Sequence, residues 1–180
     1  MSFLSFEHGR LAYRADFALY GVAVVGLAAL LIIRSPQGSS LRLTTLCAAG
    51  LAAWTLIEYL FHRFLLHGLS PFREWHAKHH ARPSARIASP TIFSASLLVV
   101  LVYLPGWLLA GVWASCALTL GMTTGYLAYA ITHHATHRWR ASNGWLMSRK
   151  RWHAAHHHAS GQERCFGVTN AFWDRVFGTC

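Results

Sequence analysis

Charged residues are scarce in this sequence, and acidic residues are the scarcest. Of 180 residues only 12% are charged, and six Asp and Glu residues stand against 16 Lys and Arg residues. A soluble domain is typically about 25% charged. Because intrinsic disorder requires low hydrophobicity and high charge, a chain with 54% apolar residues is not a disordered one. Its length is that of one domain of ordinary size.

Cysteine is scarce as well. The chain has four cysteines and no C-x-x-C motif, which is too few for a disulfide-stapled scaffold. Structural zinc sites commonly use cysteine ligands, and no cysteine lies among the histidine clusters described below. Both cysteine-dependent classes are therefore disfavoured. The main features that remain are long apolar runs and 13 histidines.

Uncharged apolar runs predict membrane-spanning helices. The run at 17–33 reaches the lower length limit of a spanning helix, and the poor cleavage site after it makes a signal peptide the weaker alternative to a retained anchor. A second run covers 43–66. The region 91–131 has no charged residue, and Pro105-Gly106 is a turn signal that would divide it into a helical hairpin. We expect four membrane helices, or two helices and a deep hairpin, at about 17–33, 43–66, 91–104 and 107–131.

Basic residues predict the orientation of these helices. Of the 16 Lys and Arg residues, 14 lie in or next to the segments 1–16, 67–90 and 132–180, which a four-helix arrangement puts on one side. The positive-inside rule then places both termini in the cytoplasm. Basic residues beside membrane helices favour anionic lipid headgroups as partners and not nucleic acid. The Arg- and Ala-rich composition without a targeting signal indicates a bacterial inner membrane.

Twelve of the 13 histidines lie on the predicted cytoplasmic side, in four clusters. The clusters are His62-x4-His67, His76-x2-His79-His80, His133-His134-x2-His137 and His153-x2-His156-His157-His158. Residues three or four apart share a helix face, so both H-x-x-H-H triplets and the pair His133 and His137 should converge. His62 and His67 diverge by about 140° on an ideal helix. They would bind different metals, or the helix must end between them.

These clusters predict a site for two metal ions, because ten spaced histidines exceed the four to six ligands that one ion takes. Imidazole suits zinc, iron, copper and nickel, and two ions held by neutral ligands at a membrane edge suggest redox chemistry with dioxygen. A non-catalytic metal-binding membrane protein is the rival class. A transporter, however, would place ionisable groups near the membrane midplane, and the region 91–131 has no charged residue.

At these residues the chain resembles the fatty acid hydroxylase/sterol desaturase superfamily of integral-membrane di-iron oxygenases. The resemblance is carried by EYLFHRFLLH (58–67), WHAKHHARPSARIASP (75–90), THHATH (132–137), KRWHAAHHHA (150–159) and FGVTNAFWDRVFGT (166–179). HRFLLHG and WHAKHH are also similar to the small bacterial carotenoid hydroxylases. The FGVTNAFWDRVFGT ending favours the fatty acid hydroxylase branch.

Together with the apolar runs, the resemblance implies one all-α integral membrane domain, 1–180, whose cytoplasmic helical cap holds a histidine-rich di-metal site. The cap would be built from 62–90 and 132–180. The resemblance implies two iron ions, which zinc can replace in a purified sample, and dioxygen as co-substrate. The implied metal ligands are His62, His67, His76, His79, His80, His133, His137, His153, His156 and His157.

Other polar side chains are candidates for hydrogen bonds that orient the metal-bound imidazoles. The candidates are His134, His158, Glu58, Asp174, Glu74 and Glu163. Solvation is the alternative role for the two histidines. Ion pairing is the alternative for the carboxylates, of Glu58 with Arg63 and of Asp174 with Arg175.

We therefore expect a non-haem di-iron monooxygenase that hydroxylates a membrane lipid, in first place a fatty acyl chain. The chain has no room for a fused haem domain, so electrons would come from a separate donor, such as a ferredoxin or a b-type cytochrome with its reductase. The run Arg149-Lys150-Arg151 could steer an acidic donor or contact lipid headgroups. Lipid or sterol desaturation and carotenoid ring hydroxylation are the alternative outcomes of the same site.

Overall fold

The protein is almost entirely helical in a computed structural model that describes residues 7–87, 90–141, 143–158 and 164–180. The prediction of an all-α fold is confirmed. Two π-helical stretches, Phe61–Leu66 and Val99–Tyr103, interrupt the α-helical geometry. The α-helices are α1 (Arg10–Arg34), α2 (Ser40–Leu60), α3 (Phe72–Ala81), α4 (Thr91–Leu98), α5 (Leu104–Ala110), α6 (Val112–Arg138), α7 (Gly144–His157) and α8 (Phe172–Val176).

Within the described part of the chain, three helical segments are long and apolar enough to cross a membrane. They are Arg10–Arg34, Ser40–Leu66 and Thr91–Ala110. Their apolar side chains are widely exposed, for example Val22 at 71% and Leu109 at 87%, and such exposure suits contact with lipid. With three such segments, the protein is a multi-pass membrane protein.

The fourth predicted helix forms, but its composition does not mark it as a membrane span. α6 has 27 residues, which is long enough, yet Ser, Thr and Gly residues along it keep it outside the three apolar segments. Several of its polar side chains are buried, including Ser115 (0% exposed) and Thr123 (3%). A helix packed by protein needs no lipid-like composition. The count of four spanning helices is therefore not confirmed.

The chain does not turn at Pro105-Gly106, where the sequence suggested a hairpin. The helical segment runs from Thr91 through Ala110, and Pro105 lies in the first turn of α5. Inside a continuous helix a proline removes one backbone hydrogen bond, and the π-helical stretch Val99–Tyr103 lies directly before α5. The break comes at Gly111, whose φ of +85° is a conformation that glycine adopts without steric cost.

The described residues form two compact units. The first comprises Met1–Trp54 and Ala88–Leu127. Its buried apolar core includes Leu31, Leu43 and Ala117. α2 and α6 approach each other closely here, because a Cβ on Gly121 would overlap the backbone of Cys47. Glycine therefore sets the distance between these two helices.

The second unit comprises Thr55–Ile87 and Ala128–Cys180. It contains the end of α2 with its π-helical stretch, α3, the end of α6, α7 and α8. All ten of the histidines named as ligands belong to this unit. A disulfide between Cys165 and Cys180 ties the segment that precedes α8 to the chain's last residue.

Replacing Gly121 by Ala should destabilise the protein, since the added methyl group has no space between α2 and α6. Overpacking of this kind typically costs about 1–3 kcal/mol. The matched control is Gly26→Ala, because a Cβ on Gly26 meets nothing within 4 Å. Thermal unfolding in detergent should show a lower midpoint for Gly121→Ala and no decrease for Gly26→Ala. Equal midpoints would contradict the helix contact.

Candidate metal centre

Ten histidines of the second unit gather into two groups of five in the part of the chain that the structure describes. In each group every histidine offers one ring nitrogen, and these five nitrogens lie within 4.8 Å of one another. Centre 1 is the group His62, His67, His76, His80 and His156, and centre 2 is the group His79, His133, His137, His153 and His157.

Each H-x-x-H-H triplet is divided between the two centres. In α3, His76 and His80 belong to centre 1, while His79 belongs to centre 2. On an α-helix the residue at i+4 lies about 40° from residue i, and the residue at i+3 lies about 60° away on the other side. The i, i+4 pair can therefore face one centre while the residue between them faces its neighbour.

α7 repeats this arrangement in the opposite sense. His153 and His157 belong to centre 2, and His156 belongs to centre 1. Each centre thus receives two pairs from separate helical segments and a single imidazole from the triplet that serves the other centre. The sequence predicted convergence within each triplet, and the structure shows that convergence is onto two adjacent centres.

The pair His62 and His67 reaches one centre by a route that the ideal-helix argument did not include. Both belong to centre 1, and their ring centroids lie 5.2 Å apart. The stretch Phe61–Leu66 is π-helical, with hydrogen bonds from i to i+5. Five residues then make slightly more than one turn, so the two rings fall on nearly the same face. Of the two expected outcomes, the structure shows the second: the helix ends at Leu66, between the two histidines, with His67 as its C-cap residue.

Local contacts at the start of α7 set the position of its histidines. The Asn143 side chain caps the helix by accepting a hydrogen bond from the Leu146 amide at 2.8 Å, the usual role of Asn at this position. Lys150 donates from Nζ to the carbonyls of Thr136 (2.7 Å) and Trp139 (2.9 Å). These are carbonyls at the end of α6, where a cation is favourable. α7 is thereby fixed to the helix end that carries His133 and His137.

The nitrogen–nitrogen distances fit a bound metal ion. Within centre 1 the Nε2 atom of His76 lies 3.0 Å from the Nε2 atom of His62 and 3.0 Å from that of His80. Within centre 2 the Nε2 atoms of His153 and His137 are 2.8 Å apart. Metal–imidazole bonds of about 2.1 Å at right angles place neighbouring nitrogens about 3.0 Å apart. The donor set and its spacing therefore suit one ion in each centre.

Seven of the ten imidazoles, all outside the membrane-spanning segments, have a lowered pKa, which favours the neutral form that metals bind. Burial, reinforced by the neighbouring imidazoles, lowers the pKa of His79 to about 3, that of His80 to about 3 and that of His157 to about 2. A neutral imidazole keeps one nitrogen lone pair free for a metal. At neutral pH these three rings can therefore act as ligands without first losing a proton.

Two backbone carbonyls fix the orientation of imidazoles in centre 1. His62 places Nδ1 2.5 Å from the Phe166 carbonyl oxygen, and His156 places Nδ1 2.8 Å from that of Arg164. A carbonyl oxygen can only accept, so each Nδ1 carries the proton and donates it. The lone pair is then on Nε2, the nitrogen that faces the centre. Such hydrogen bonds orient metal-bound histidines and make them better donors.

The buried carboxylates accept hydrogen bonds from the loop that provides these carbonyls, and neither accepts one from an imidazole of the described residues. Glu58 accepts from the amides of Val168 (2.8 Å) and Thr169 (2.9 Å). Asp174 accepts from the amides of Phe166 and Gly167, both at 2.8 Å. From the sequence we expected Glu58 and Asp174 to bond directly to imidazoles. In the structure, backbone N–H groups donate to both carboxylates instead.

The alternative ion pairs do not account for these carboxylates either. Arg63 donates to the hydroxyl of Tyr59 at 2.7 Å, and Arg175 is exposed whereas Asp174 is fully buried. Glu74 is exposed and forms an ion pair with Arg73 at 3.3 Å. Glu163 lies outside the described residues.

The two additional histidines join neither centre. His134 lies with its ring 6.0 Å from that of Trp139, and His158 is exposed at the end of α7. The residues that the sequence did not single out are Arg164 and Phe166. Their contribution comes from backbone carbonyls, which no side-chain pattern can report.

The lowered histidine pKa values predict how the stability of the metal-free protein depends on pH. An imidazole with an ordinary pKa of about 6.5 when unfolded and about 3 when folded binds more protons in the unfolded state between these values. Stability should therefore decrease as the pH falls below about 6.5. The thermal midpoint of metal-free protein in detergent should fall steadily from pH 7 to pH 5. A midpoint that is constant over this range would contradict neutral, buried imidazoles.

Comparison with known proteins gives consistent results. A family model described as fatty acid hydroxylase matches residues 47–179. The chain is 35% identical over 146 residues to a dihydroceramide fatty acyl 2-hydroxylase of Arabidopsis thaliana, covering 73% of this chain and 59% of the relative. It is 32% identical over 148 residues to the ceramide very long chain fatty acid hydroxylase of Schizosaccharomyces pombe, covering 72% and 40%. The chain thus spans about two fifths to three fifths of these relatives.

A solved structure has the same fold over most of the chain. It is full-length scs7p, in which only the hydroxylase domain is visible, with a TM-score of 0.78 and 27% identity. The match covers 93% of this chain and 66% of the other. The similarity therefore includes both the helices and the histidine-bearing segments.

Proposed function

This chain belongs to the fatty acid hydroxylase family, and from that membership we propose that it is an oxygen-dependent di-iron hydroxylase of a membrane lipid. The observation that carries the proposal is the pair of adjacent five-histidine centres in a membrane protein. The relatives described above are a hydroxylase of ceramide very long chain fatty acids and a 2-hydroxylase of dihydroceramide fatty acyl chains. A fatty acyl chain is therefore the proposed substrate and its 2-position the proposed site of oxidation.

Five nitrogen ligands in each centre support catalysis in preference to a structural role. Structural zinc sites are closed with four ligands, whereas catalytic sites keep a position open. Five imidazoles leave one position of an octahedral ion for a reactant. The two centres are adjacent, since the rings of His80 and His157 from different centres stack with centroids 4.2 Å apart. Two ions would therefore be available to one reactant.

Iron is the proposed metal because hydroxylation with dioxygen needs a redox-active ion and imidazole suits iron. When bound, two iron ions would supply the reducing electrons and open positions that dioxygen activation requires. Zinc binds such ligands more tightly than iron(II), so a zinc-loaded preparation does not contradict the proposal. The chemistry of the oxidant is that of the metal, and the protein provides position and surroundings.

The chain's own residues contribute three things to this reaction. The ten imidazoles hold the ions as uncharged ligands. The carbonyls of Arg164 and Phe166 hold the protons of His156 and His62 at Nδ1. Burial of the rings excludes water, since His62, His79 and His153 are each at most 4% exposed. Exclusion of water limits side reactions of an activated oxidant.

We also propose a separate electron donor, a ferredoxin or a b-type cytochrome with its reductase. The run Arg149-Lys150-Arg151 is a poorer docking surface than its charge suggests. Arg149 is buried and Lys150 donates to two carbonyls. Only Arg151 is exposed, so the donor surface must include basic residues elsewhere.

The proposed location is a bacterial inner membrane, with both termini and the metal site in the cytoplasm. The charge distribution of the sequence supports this orientation. Two alternatives remain for the reaction itself, desaturation of a lipid or sterol and hydroxylation of a carotenoid ring. The similarity to fatty acid and ceramide hydroxylases favours the acyl reaction over both. A non-catalytic metal-binding role is the remaining class.

The disulfide of Cys165 and Cys180 provides a test of orientation. A reducing cytosol opens disulfides, and oxidising compartments preserve them. A cytoplasmic second unit predicts that both cysteines are free thiols in cells. Cells would be lysed in an alkylating reagent and the two peptides analysed by mass spectrometry. A cross-linked peptide pair from intact cells would contradict the cytoplasmic orientation.

Removing one ligand from each centre should abolish product formation. We expect His76→Ala, in centre 1, and His137→Ala, in centre 2, each to lower hydroxylated lipid by at least about 100-fold, because both ions are needed. His134→Ala is the matched control, since His134 belongs to neither centre. Each variant would be expressed with a ferredoxin and its reductase, and lipid extracts compared by mass spectrometry for a gain of one oxygen. Wild-type product levels in both ligand variants would refute the proposal.

A further inference from the structure

We propose that Asp174 is a positioning residue for centre 1, acting on His62 and His156 through two peptide groups. The inference rests on the proposed function only in taking the two centres as metal sites. Asp174 lies outside both histidine groups and touches no imidazole. Its side chain is nevertheless completely buried, at 0% exposure. A carboxylate buried in this way must have its hydrogen bonds made within the protein.

The first connection runs through the peptide group that joins Phe166 and Gly167. The carbonyl oxygen of this peptide accepts from Nδ1 of His62 at 2.5 Å. Its N–H, which belongs to Gly167, donates to Oδ2 of Asp174 at 2.8 Å. One peptide group therefore accepts from the imidazole at one end and donates to the carboxylate at the other.

The second connection runs through the peptide group that joins Arg164 and Cys165. Its carbonyl oxygen accepts from Nδ1 of His156 at 2.8 Å, and its N–H donates to the carbonyl of Thr179 at 2.9 Å. The Thr179 hydroxyl donates to Oδ1 of Asp174 at 2.8 Å. Asp174 thus holds residue 179, and residue 179 in turn holds the peptide group whose carbonyl accepts from His156.

The negative charge gives the first connection an effect beyond geometry, whereas the second acts on position alone, because it passes through the covalent bonds of Thr179. Hydrogen bonds in a chain polarise one another, so a carboxylate at one end of a peptide makes its carbonyl oxygen a stronger acceptor. A stronger acceptor draws the Nδ1 proton and raises the electron density at Nε2, the nitrogen that faces the metal. Direct carboxylate–histidine–metal contacts work in this way, and here a peptide group lies between carboxylate and imidazole.

The two centres differ in this respect. In centre 2, Nδ1 of His79 and Nδ1 of His157 are buried with no hydrogen-bond partner among the described residues. Two imidazoles of centre 1 are therefore oriented by hydrogen bonds from Nδ1 to a carbonyl oxygen. Two rings of centre 2 have no such hydrogen bond among the described residues. Loss of the Asp174 charge should weaken centre 1 and leave centre 2 as it is.

Glu58 also accepts hydrogen bonds from this loop, but from different residues. It accepts from the amides of Val168 and Thr169 and from the Thr169 hydroxyl at 2.6 Å. The peptide groups that donate to Glu58 carry the carbonyls of Gly167 and Val168, not those of Phe166 and Arg164 that accept from His62 and His156. We therefore infer that Glu58 maintains the conformation of the loop and that Asp174 increases the metal affinity of centre 1.

The test is metal binding by the full chain in detergent, with Co²⁺ as the probe and its visible absorption as the signal. Asp174→Asn keeps the volume of the side chain and removes its charge. We expect two bound Co²⁺ ions in wild type and, in Asp174→Asn, one site unchanged and one weakened about 10–100-fold. Asp16→Asn is the matched control, because Asp16 accepts a hydrogen bond from Thr91 within the first unit, whereas the ten histidines belong to the second.

Ligand variants identify which site is weakened. In a His137→Ala background, which leaves centre 1, Asp174→Asn should reduce Co²⁺ affinity by the full factor. In a His76→Ala background, which leaves centre 2, it should change nothing. Equal weakening in the two backgrounds, or none in either, would overturn the proposal. Because the signal is metal binding, a protein that binds two ions but yields no hydroxylated lipid would refute the proposed function and leave this inference standing.

Thr179→Val decides the matter if Asp174→Asn does not fold. This variant keeps the Asp174 charge and the backbone of residue 179 and removes one hydroxyl donor to the carboxylate. Without this hydroxyl, residue 179 is held less firmly, and so is the Arg164 carbonyl that orients His156. The Co²⁺ affinity of centre 1 should therefore fall a few-fold, with the circular dichroism spectrum unchanged. Wild-type affinity at both sites in folded Thr179→Val would then overturn the proposal.

Discussion

The second unit depends on bringing ten imidazoles together, and no carboxylate of the described residues is grouped with them. Buried histidines are tolerated only as neutral rings, and neutral rings packed with their lone pairs converging repel one another unless a cation lies between them. The separation of neighbouring Nε2 atoms, 2.8 to 3.1 Å, is that of ligands around a metal. Soluble di-iron bundles meet the same need with Glu ligands. Here the two fully enclosed carboxylates, Glu58 and Asp174, hold a loop.

The exchange of imidazoles between α3 and α7 makes the two centres interdependent. Each of these helices provides a pair to one centre and a single ring to the other. A shift of either helix would therefore change the geometry of both centres at once. The π-helical stretch Phe61–Leu66 completes centre 1 by placing residues five apart on one face. π-Helical turns are uncommon and are often found at functional sites, and this one has a direct structural reason.

The sequence predicted much of this arrangement, because helical periodicity acts within a single helix. Apolar runs predicted the three spanning segments, spacing predicted the pairing of histidines within α3, α6 and α7, and the family resemblance implied the set of ten that the two groups contain. Spacing could not show that His79 and His156 cross to the neighbouring centre, since that depends on which helices face each other. The turn signal also failed at Pro105, which lies within a continuous helical segment directly after the π-helical stretch Val99–Tyr103. The loop carbonyls of Arg164 and Phe166 had no side-chain signature at all.

The most direct test of two five-histidine centres is anomalous diffraction from crystals of the iron-loaded protein at the iron absorption edge. Two peaks are predicted, one among the ring nitrogens of centre 1 and the other among those of centre 2. Each iron should have five nitrogen ligands at about 2.1 Å. A single peak, or an ion bound jointly by His62 and His133, would contradict the division of the ten histidines into two centres.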